Sequence, residues 1–473
     1  MREVAPVQRS DPAVPNPRVD GATGRIVRGL AANIGGMGVT VVVQLISVPV
    51  LLGAWGVPTY GQWLVLSAVT SYIAMSDLSF SSVAGNSMVM LVAQGKHREA
   101  AALGRHLWSI VTVMTGLAVL AAITIALVFG GALGSGAAIP ASESQVVLVA
   151  LFLQVAVDNQ YGVLDAWYRA GGRYPLSSVL RNLGRLLEFG ALVGAVLLGA
   201  PPSTAAIAFL AGSVAGFGVS WVVLRRAVSW SAFRLERPHL QTFRDLLAPG
   251  VAFMAFPAGN ALSLQGFTIA IGATLGVAAV VVFSTTRTIS RIAFLAMASI
   301  NMSISPELSR SVVGGDLGEA RTILRRAVQL SLAVSCSLVL GLALLGVTII
   351  RWWTHGLVDP PVLLLLILLL VIVANTSWYT LASVITATNR HKRLAVAYFS
   401  GTAAALVASV PLSLAFGLAG AGVALLTIYA IMVVYVFPAA MRVVQDAPGA
   451  FLRALFDFRG AVRWAISIMR SAA

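Results

Sequence analysis

"VVVFSTTRTISRIAFLAMASINMSI" (residues 280–304) has the length and apolar content of a bilayer-spanning helix, yet it carries two arginines, Arg287 and Arg291. Because they stand four residues apart, both project from one face of a helix. Counted from Gly276, they would lie about 17 Å and about 22 Å into a hydrocarbon core about 30 Å thick. Arginine at such depth costs about 2.5–3.5 kcal/mol on insertion scales, and intramembrane charges usually serve a function. The stretch predicts a membrane helix with a built-in cationic site.

The whole chain has the composition of a polytopic membrane protein. Its 473 residues are 58% hydrophobic and 10% charged, and its mean hydropathy is +0.89. The formal net charge is +15, an excess that in membrane proteins marks cytoplasmic loops and does not indicate nucleic-acid binding. Cys336 is the single cysteine, and all five histidines fall at or beyond the ends of predicted helices. This distribution predicts no metal site, haem or other cofactor.

Apolar stretches long enough to span a bilayer, which takes about 20 residues, recur twelve times. They predict an all-α integral membrane protein. The stretches lie near residues 27–53, 61–92, 107–130, 145–166, 176–199, 204–224, 246–274, 276–303, 323–350, 361–388, 394–416 and 420–442.

The basic residues predict the orientation of the chain in the membrane. All Lys and Arg residues except Arg287, Arg291 and Arg351 fall on one side of the predicted spans or at that boundary. Because positive charge is retained in the cytoplasm, we expect both termini there, with the protein in the inner membrane of a bacterium. The predicted outer loops, such as "GAWGVPT" and "GAPPST", are too short for an outer catalytic domain.

The chain repeats itself at a shift of about 220 residues. Gly56-Val57 then aligns with Gly276-Val277, and Gly95, Glu99 and Arg105 align with Gly315, Glu319 and Arg325. The repeat predicts two parallel six-helix lobes around a central cavity, an arrangement known in transporters. The predicted organisation is a disordered cytoplasmic tail (1–24), an N-terminal lobe (25–224), a cytoplasmic linker (225–245), a C-terminal lobe (246–442) and a basic amphipathic tail (443–473).

Charged and polar residues on several predicted spans mark the candidate site. Arg287 and Arg291 align with Ser67 and Ser71 in the other half, so the repeat itself does not require them. They could bind an anionic ligand, or Arg287 could form a structural ion pair with Asp158 or Glu188. Further polar residues follow helical spacing and predict a water-filled cavity. These candidates are Arg185 as a third cation, and Asp77, Gln154, Asp158, Tyr161 and Glu188 as polar cavity residues or ion-coupling residues.

The absence of two kinds of motif from the sequence narrows the function. No G-x-x-x-x-G-K-[ST] motif occurs, so the sequence does not predict ATP hydrolysis. The predicted spans contain neither a histidine within the membrane nor a Ser-His-Asp pattern that would indicate catalysis. We therefore expect a transporter and not an enzyme.

Motifs in the first hundred residues carry a family resemblance. "GVPTYGQW" (56–63), "SDLSFSS" (76–82), Asn86 and the loop "AQGKHREA" (93–100) resemble the polysaccharide-transport branch of the multidrug/oligosaccharidyl-lipid/polysaccharide (MOP) exporter superfamily. Ser79 stands where that pattern usually has glycine. The resemblance continues more weakly through residues 303–310 and 378–392.

The resemblance implies a flippase that moves an undecaprenyl-diphosphate-linked O-antigen or exopolysaccharide repeat unit across the membrane by alternating access. It also implies membrane lipids and the polysaccharide polymerase or export machinery as partners. Arginine binds phosphate oxygens in bidentate fashion, so the diphosphate would meet Arg287, Arg291 and Arg185. The alternatives are a multidrug or other small-molecule antiporter of the same fold, and a membrane-embedded glycan polymerase or ligase.

Overall fold

The computed structural model describes residues 17–77, 79–133, 138–231, 233–236, 240–388 and 392–457, and in these ranges the regular structure is entirely helical. A 3-10 helix (Ser71–Asp77) precedes α2, and a π-helix (Leu262–Gly266) lies between α7 and α8. The helices are α1 (Pro17–Thr70), α2 (Phe80–Ala93), α3 (His97–Leu133), α4 (Ala141–Ala170), α5 (Tyr174–Leu197), α6 (Pro202–Ala227), α7 (Leu240–Ala261), α8 (Phe267–Leu275), α9 (Val277–Val313), α10 (Leu317–Trp353), α11 (Val362–Ala387), α12 (Lys392–Val444) and α13 (Pro448–Leu455).

The predicted tails lie partly outside the described residues. Residues 1–16 and 458–473 are not among them, and α1 already begins at Pro17, inside the segment 1–24 expected as a tail. At the other terminus α12 ends at Val444, and the short helix α13 follows with Phe451 fully buried.

The helices confirm the all-α membrane fold. Gly56 in α1 and Gly417 in α12 have non-helical backbone angles, so each of these long helices consists of two segments. With α2 continuing the second segment of α1 and α8 continuing α7, the described residues match the twelve predicted spans. Counted as continuous helices among the described residues, seven stretches are long and apolar enough to cross a membrane. They are Gly35–Ala93, His97–Leu127, Ala141–Ala170, Pro202–Ala227, Leu317–Trp353, Val362–Thr386 and Lys392–Val444.

Equivalent glycines shape equivalent turns in the two halves. Gly56 has φ 72° and ψ 173°, and Gly276 has φ 86° and ψ 171°. Gly95 and Gly315 have φ values of 78° and 81°. Residues with a side chain rarely adopt these angles, so glycine is required at both copies. The repeat seen in the sequence is therefore a repeat of backbone geometry.

Equivalent arginines also make equivalent ion pairs. Arg105 on α3 donates through Nε to Glu236, 2.8 Å away, in the segment that follows α6. Its counterpart Arg325 on α10 donates through Nε to Asp446, also 2.8 Å away, in the segment that follows α12. Each arginine thus fixes the chain just after the last helix of its half, which is a scaffold role shared by both halves.

The helices form two lobes, which we call the N lobe (α1–α6) and the C lobe (α7–α12). Among the described residues, the main buried core of the C lobe includes Phe267, Phe283 and Leu425. A smaller core lies between α10 and α11 and contains Leu365, Leu369 and Ile372. The N lobe has one core around Phe80 and Trp167, and a second core at the end of the bundle where Gly56 lies. That second core also takes in residues of the C-terminal half, which are Val281, Ile289, Ile350 and Val358.

The lobes therefore meet at the Gly56 end, and backbone contacts bring them close. A Cβ built on Gly61 of α1 would lie 2.3 Å from the carbonyl oxygen of Val277 on α9. Trp353 at the end of α10 donates through Nε1 to the carbonyl oxygen of Leu45 on α1, at 2.7 Å. Only a residue without a side chain can occupy position 61 while α9 keeps this position.

We expect Gly61→Ala to destabilise this junction, because the added methyl group would overlap a backbone carbonyl that a rotamer change cannot move. Overpacking of this kind costs about 1–3 kcal/mol. The measurement is the apparent melting temperature of the purified protein in detergent. Gly53→Ala is the matched control, because Gly53 also lies in α1 and a Cβ there meets no atom within 4 Å. Equal melting temperatures of the two variants would contradict the close contact.

Candidate functional site

Arg287 and Arg291 line a cavity of about 200 Å³ inside the C lobe, which we call the arginine cavity. Helix α9 supplies the two arginines and Ser290. Helices α7, α11 and α12 supply uncharged polar groups, so no carboxylate is found among the described residues that line the cavity. The polar residues of the lining are Asn260, Ser263, Arg287, Ser290, Arg291, Asn375 and Tyr429.

Arg287 is held by oxygens of the π-helix and the first turn of α8. Its Nη1 donates to the Ser263 carbonyl at 3.3 Å, and its Nη2 donates to the Leu264 carbonyl at 3.0 Å and the Thr268 hydroxyl at 3.3 Å. Its guanidinium carbon also lies 5.2 Å from the centre of the Phe283 ring. These contacts fix the side chain but supply no negative charge, so its positive charge stays uncompensated.

Arg291, one turn further along α9, forms no hydrogen bond or ion pair with any described residue. Tyr429 is close enough to interact electrostatically, but its hydroxyl is paired with Ser263 at 3.1 Å. Ionised groups in apolar surroundings normally find partners within the protein. The described residues therefore supply a counter-ion to neither of these two arginines.

A second cavity of about 330 Å³ lies inside the N lobe, which we call the acidic cavity. The 3-10 helix and helices α4, α5 and α6 contribute its lining, which contains three carboxylates and one arginine. Its charged and aromatic residues are Asp77, Asp158, Tyr161, Asp165, Tyr168, Tyr174 and Arg181.

The carboxylates of the acidic cavity all have partners. Asp158 pairs with Arg181 at 3.6 Å, and Asp165 pairs with Arg169 at 2.9 Å. Asp77 accepts from the Ser81 hydroxyl at 3.0 Å. The guanidinium of Arg181 also lies 4.4 Å from the centre of the Tyr161 ring, at a distance typical of a cation–π contact. Two of its three carboxylates are therefore paired with an arginine, whereas Asp77 is held by a neutral hydroxyl.

The structure separates the predicted site residues into three groups. Arg287 and Arg291 share the arginine cavity, while Asp77, Asp158 and Tyr161 share the acidic cavity. Arg185, Gln154 and Glu188 are not among the lining residues of either. Arg185 donates to the Thr40 hydroxyl at 3.3 Å, Gln154 is buried, and Glu188 is buried within electrostatic reach of Asp158 and Arg181.

The alternative ion pair between Arg287 and Asp158 or Glu188 is not formed. Asp158 and Glu188 lie near Arg181 in the N lobe, whereas Arg287 bonds to oxygens in the C lobe. Its partners are the Ser263 and Leu264 carbonyls of the π-helix and the Thr268 hydroxyl of α8.

The polar residues next to the arginines were not among the site residues predicted from the sequence. Asn260, Ser290 and Tyr429 are single polar residues in apolar helices, and nothing in their spacing distinguishes them from structural ones. The sequence contained one indication for Asn375, because the internal repeat, at a shift of 217 residues, aligns it with Asp158. Arg181, Arg185 and Glu188 follow one another at steps of four and three residues, which places them on one charged face of α5.

Comparison with solved structures defines the fold. No protein-family model and no curated protein sequence matches the chain. A multidrug resistance MATE family transporter of the MOP superfamily in its inward-facing conformation aligns with a TM-score of 0.69 at 13% identity, over 87% of this chain and 99% of that one. An outward-facing transporter of this kind aligns with a TM-score of 0.59 at 14% identity, over 89% and 96%. The chain shares the fold of these transporters.

A flippase shares this fold. Lipid II flippase MurJ in an inward closed conformation aligns with a TM-score of 0.63 at 15% identity, over 94% of this chain and 93% of that one. At these identities the likeness concerns the fold, and the substrate has to be argued from the cavities. The narrower resemblance to the polysaccharide-transport branch stays a prediction.

The two arginines should differ in their effect on stability. Arg291→Met removes an unpartnered charge from an apolar helix, so we expect a higher apparent melting temperature. Arg287→Met removes the hydrogen bonds to the Ser263 and Leu264 carbonyls and to the Thr268 hydroxyl. Hydrogen bonds from a charged group contribute about 1.5–3 kcal/mol each, so we expect a lower melting temperature. Thermal unfolding of the purified variants in detergent measures both. A strong loss of stability in Arg291→Met would show that Arg291 has a structural partner.

Proposed function

We propose that this protein is a membrane transporter that moves a lipid-linked oligosaccharide diphosphate, such as an undecaprenyl-diphosphate-linked repeat unit, across the inner membrane of a bacterium. The diphosphate binds Arg287 and Arg291, and the polyprenyl chain stays in the bilayer. Both termini face the cytoplasm, and a polysaccharide polymerase or export machinery consumes the product.

The observation that carries the proposal is the uncompensated charge of the arginine cavity. Two guanidinium groups four residues apart face uncharged polar groups, and Arg291 has no partner in the described part of the chain. A diphosphate supplies the missing negative charge and accepts charge-assisted hydrogen bonds from the guanidinium forks. The cost of keeping arginines in apolar surroundings is then offset when the substrate is bound.

The junction of the lobes at the Gly56 end supports alternating access. In the predicted orientation this end faces outwards, so the junction there describes a state closed on the outer side. The higher TM-score to the inward-facing than to the outward-facing MATE transporter agrees with such a state. Substrate loaded from the inner leaflet would then be released when the junction opens.

Binding of undecaprenyl diphosphate to the purified protein tests the proposal. We expect Arg287→Ala and Arg291→Ala each to weaken binding by about tenfold to hundredfold, because hydrogen bonds to a charged group contribute about 1.5–3 kcal/mol. Undecaprenol, which lacks the phosphates, should bind both variants and the unmodified protein alike. Arg351→Ala is the matched control, since Arg351 lies in the same lobe but is exposed and paired with Asp359.

The same variants should fail in cells. In a strain whose own repeat-unit flippase is deleted, the unmodified chain should restore surface polysaccharide, whereas Arg287→Ala at equal expression should leave lipid-linked oligosaccharide on the cytoplasmic side. Unchanged export and unchanged diphosphate binding in the arginine variants would falsify the proposal.

A second candidate function rests on the acidic cavity. Three carboxylates line it, and an antiporter for organic cations would bind its substrate at such groups. Removal of one of them should then abolish drug efflux. The test is ethidium efflux from cells that express the chain, compared between the unmodified protein and Asp158→Asn. Absence of efflux by the unmodified protein excludes this candidate, whereas efflux that Asp158→Asn abolishes supports it over the flippase.

A further inference from the structure

An aromatic cavity of about 210 Å³ lies in the C lobe beside the arginine cavity. Among the described residues that line it, none is charged, and aromatic rings lie next to hydroxyl and amide groups. Its aromatic and polar residues are Phe256, Asn301, Trp378, Tyr379, Ser383 and Thr386.

The two cavities follow one another along the same helices. On α7, Asn260 lines the arginine cavity and Phe256 lines the aromatic cavity, four residues apart. On α11, Asn375 and Tyr379 have the same relation, so each pair lies on one helix face, separated by about one turn or 5 Å. Phe294 of the arginine cavity and Tyr379 of the aromatic cavity touch edge to face, with ring centres 5.5 Å apart. The two rings form the boundary between the cavities.

Trp378 gives the aromatic cavity an unused hydrogen-bond donor. Its side chain is 5% exposed, its ring stacks on Tyr398 at 5.3 Å, and its Nε1 has no hydrogen-bond partner in the described part of the chain. A buried donor left without a partner costs about 1–3 kcal/mol, and tryptophan N–H groups usually find one when buried. An acceptor on a bound ligand would supply it.

Two hydroxyl groups of the lining can still accept a hydrogen bond. The Ser383 and Thr386 hydroxyls donate to carbonyls of their own helix, at 2.6 Å and 2.9 Å. Each therefore keeps oxygen lone pairs for a donor on a ligand. These groups suit a neutral ligand whose hydroxyls both donate and accept hydrogen bonds. Its apolar faces would pack between the aromatic rings. A hexose ring has this chemistry.

We infer that the aromatic cavity binds the sugar attached to the diphosphate, with Trp378 donating to a sugar hydroxyl and Tyr379 packing against the ring. The inference rests on the proposed function, because the diphosphate in the arginine cavity brings its first sugar next to the Phe294–Tyr379 boundary. The cavity then determines sugar specificity, while the arginines bind any polyprenyl diphosphate.

The experiment compares lipids that differ only in the sugar. The purified protein is titrated with undecaprenyl diphosphate and with the same lipid carrying one glucose, galactose or N-acetylglucosamine. At least one glycosylated lipid should bind more tightly than the bare one. Trp378→Phe, which removes the N–H and keeps a ring, should weaken binding of that lipid by about threefold to tenfold, the contribution of one hydrogen bond. Tyr379→Ala should weaken it as well.

Neither variant should change binding of bare undecaprenyl diphosphate, and this separates the inference from the proposed function. Trp352→Phe is the matched control, because Trp352 is 80% exposed at the far end of α10. Equal weakening of bare and glycosylated lipids, no weakening by Trp378→Phe, or no preference of the unmodified protein for any sugar overturns the inference. If Arg287→Ala leaves binding of bare undecaprenyl diphosphate unchanged, the proposed function itself is wrong, whatever the sugar-binding results.

Discussion

In a hydrocarbon environment a backbone group that leaves the regular helical ladder has to find its partner inside the protein, and the C lobe meets this constraint with an arginine. The carbonyls of Ser263 and Leu264 lie in the π-helix after α7, and Arg287 from α9 donates to both. One side chain thus closes an irregular turn and keeps a positive charge within the lobe. The irregular backbone and the site need each other, because either alone would be costly in lipid.

In the N lobe an irregular helical segment is held by an uncharged side chain. The 3-10 helix (Ser71–Asp77) interrupts the second span, and Asn159 on α4 donates to the Ile73 carbonyl at 3.3 Å and to the Ser76 hydroxyl at 3.0 Å. The two halves therefore share a scaffold, visible in the paired glycines and in Arg105 and Arg325, but differ where the cavities lie. This difference between related halves underlies our proposal that the arginine cavity binds a ligand, while Arg287 also supports the π-helix.

The sequence allowed the fold class to be predicted because twelve apolar stretches and a repeat are strong local signals. It did not predict the 3-10 helix or the π-helix, since each depends on a distant partner, Asn159 or Arg287. The arginines were found because charge stands out in apolar sequence. The sequence left open whether Arg287 binds a ligand or pairs with Asp158 or Glu188, because spacing along the chain does not show which lobe's cavity a side chain enters. Asn260 and Tyr429 had no signal at all.

The contact between Gly61 and the Val277 carbonyl has a thermodynamic consequence for any motion of the lobes. Long side chains that interlock at a junction lose rotamer freedom when it closes and regain it when it opens, with up to about 2 kcal/mol for each such side chain. Glycine and backbone have no rotamers to lose. A junction built from them at its closest point can open and close repeatedly with little entropic resistance at that point.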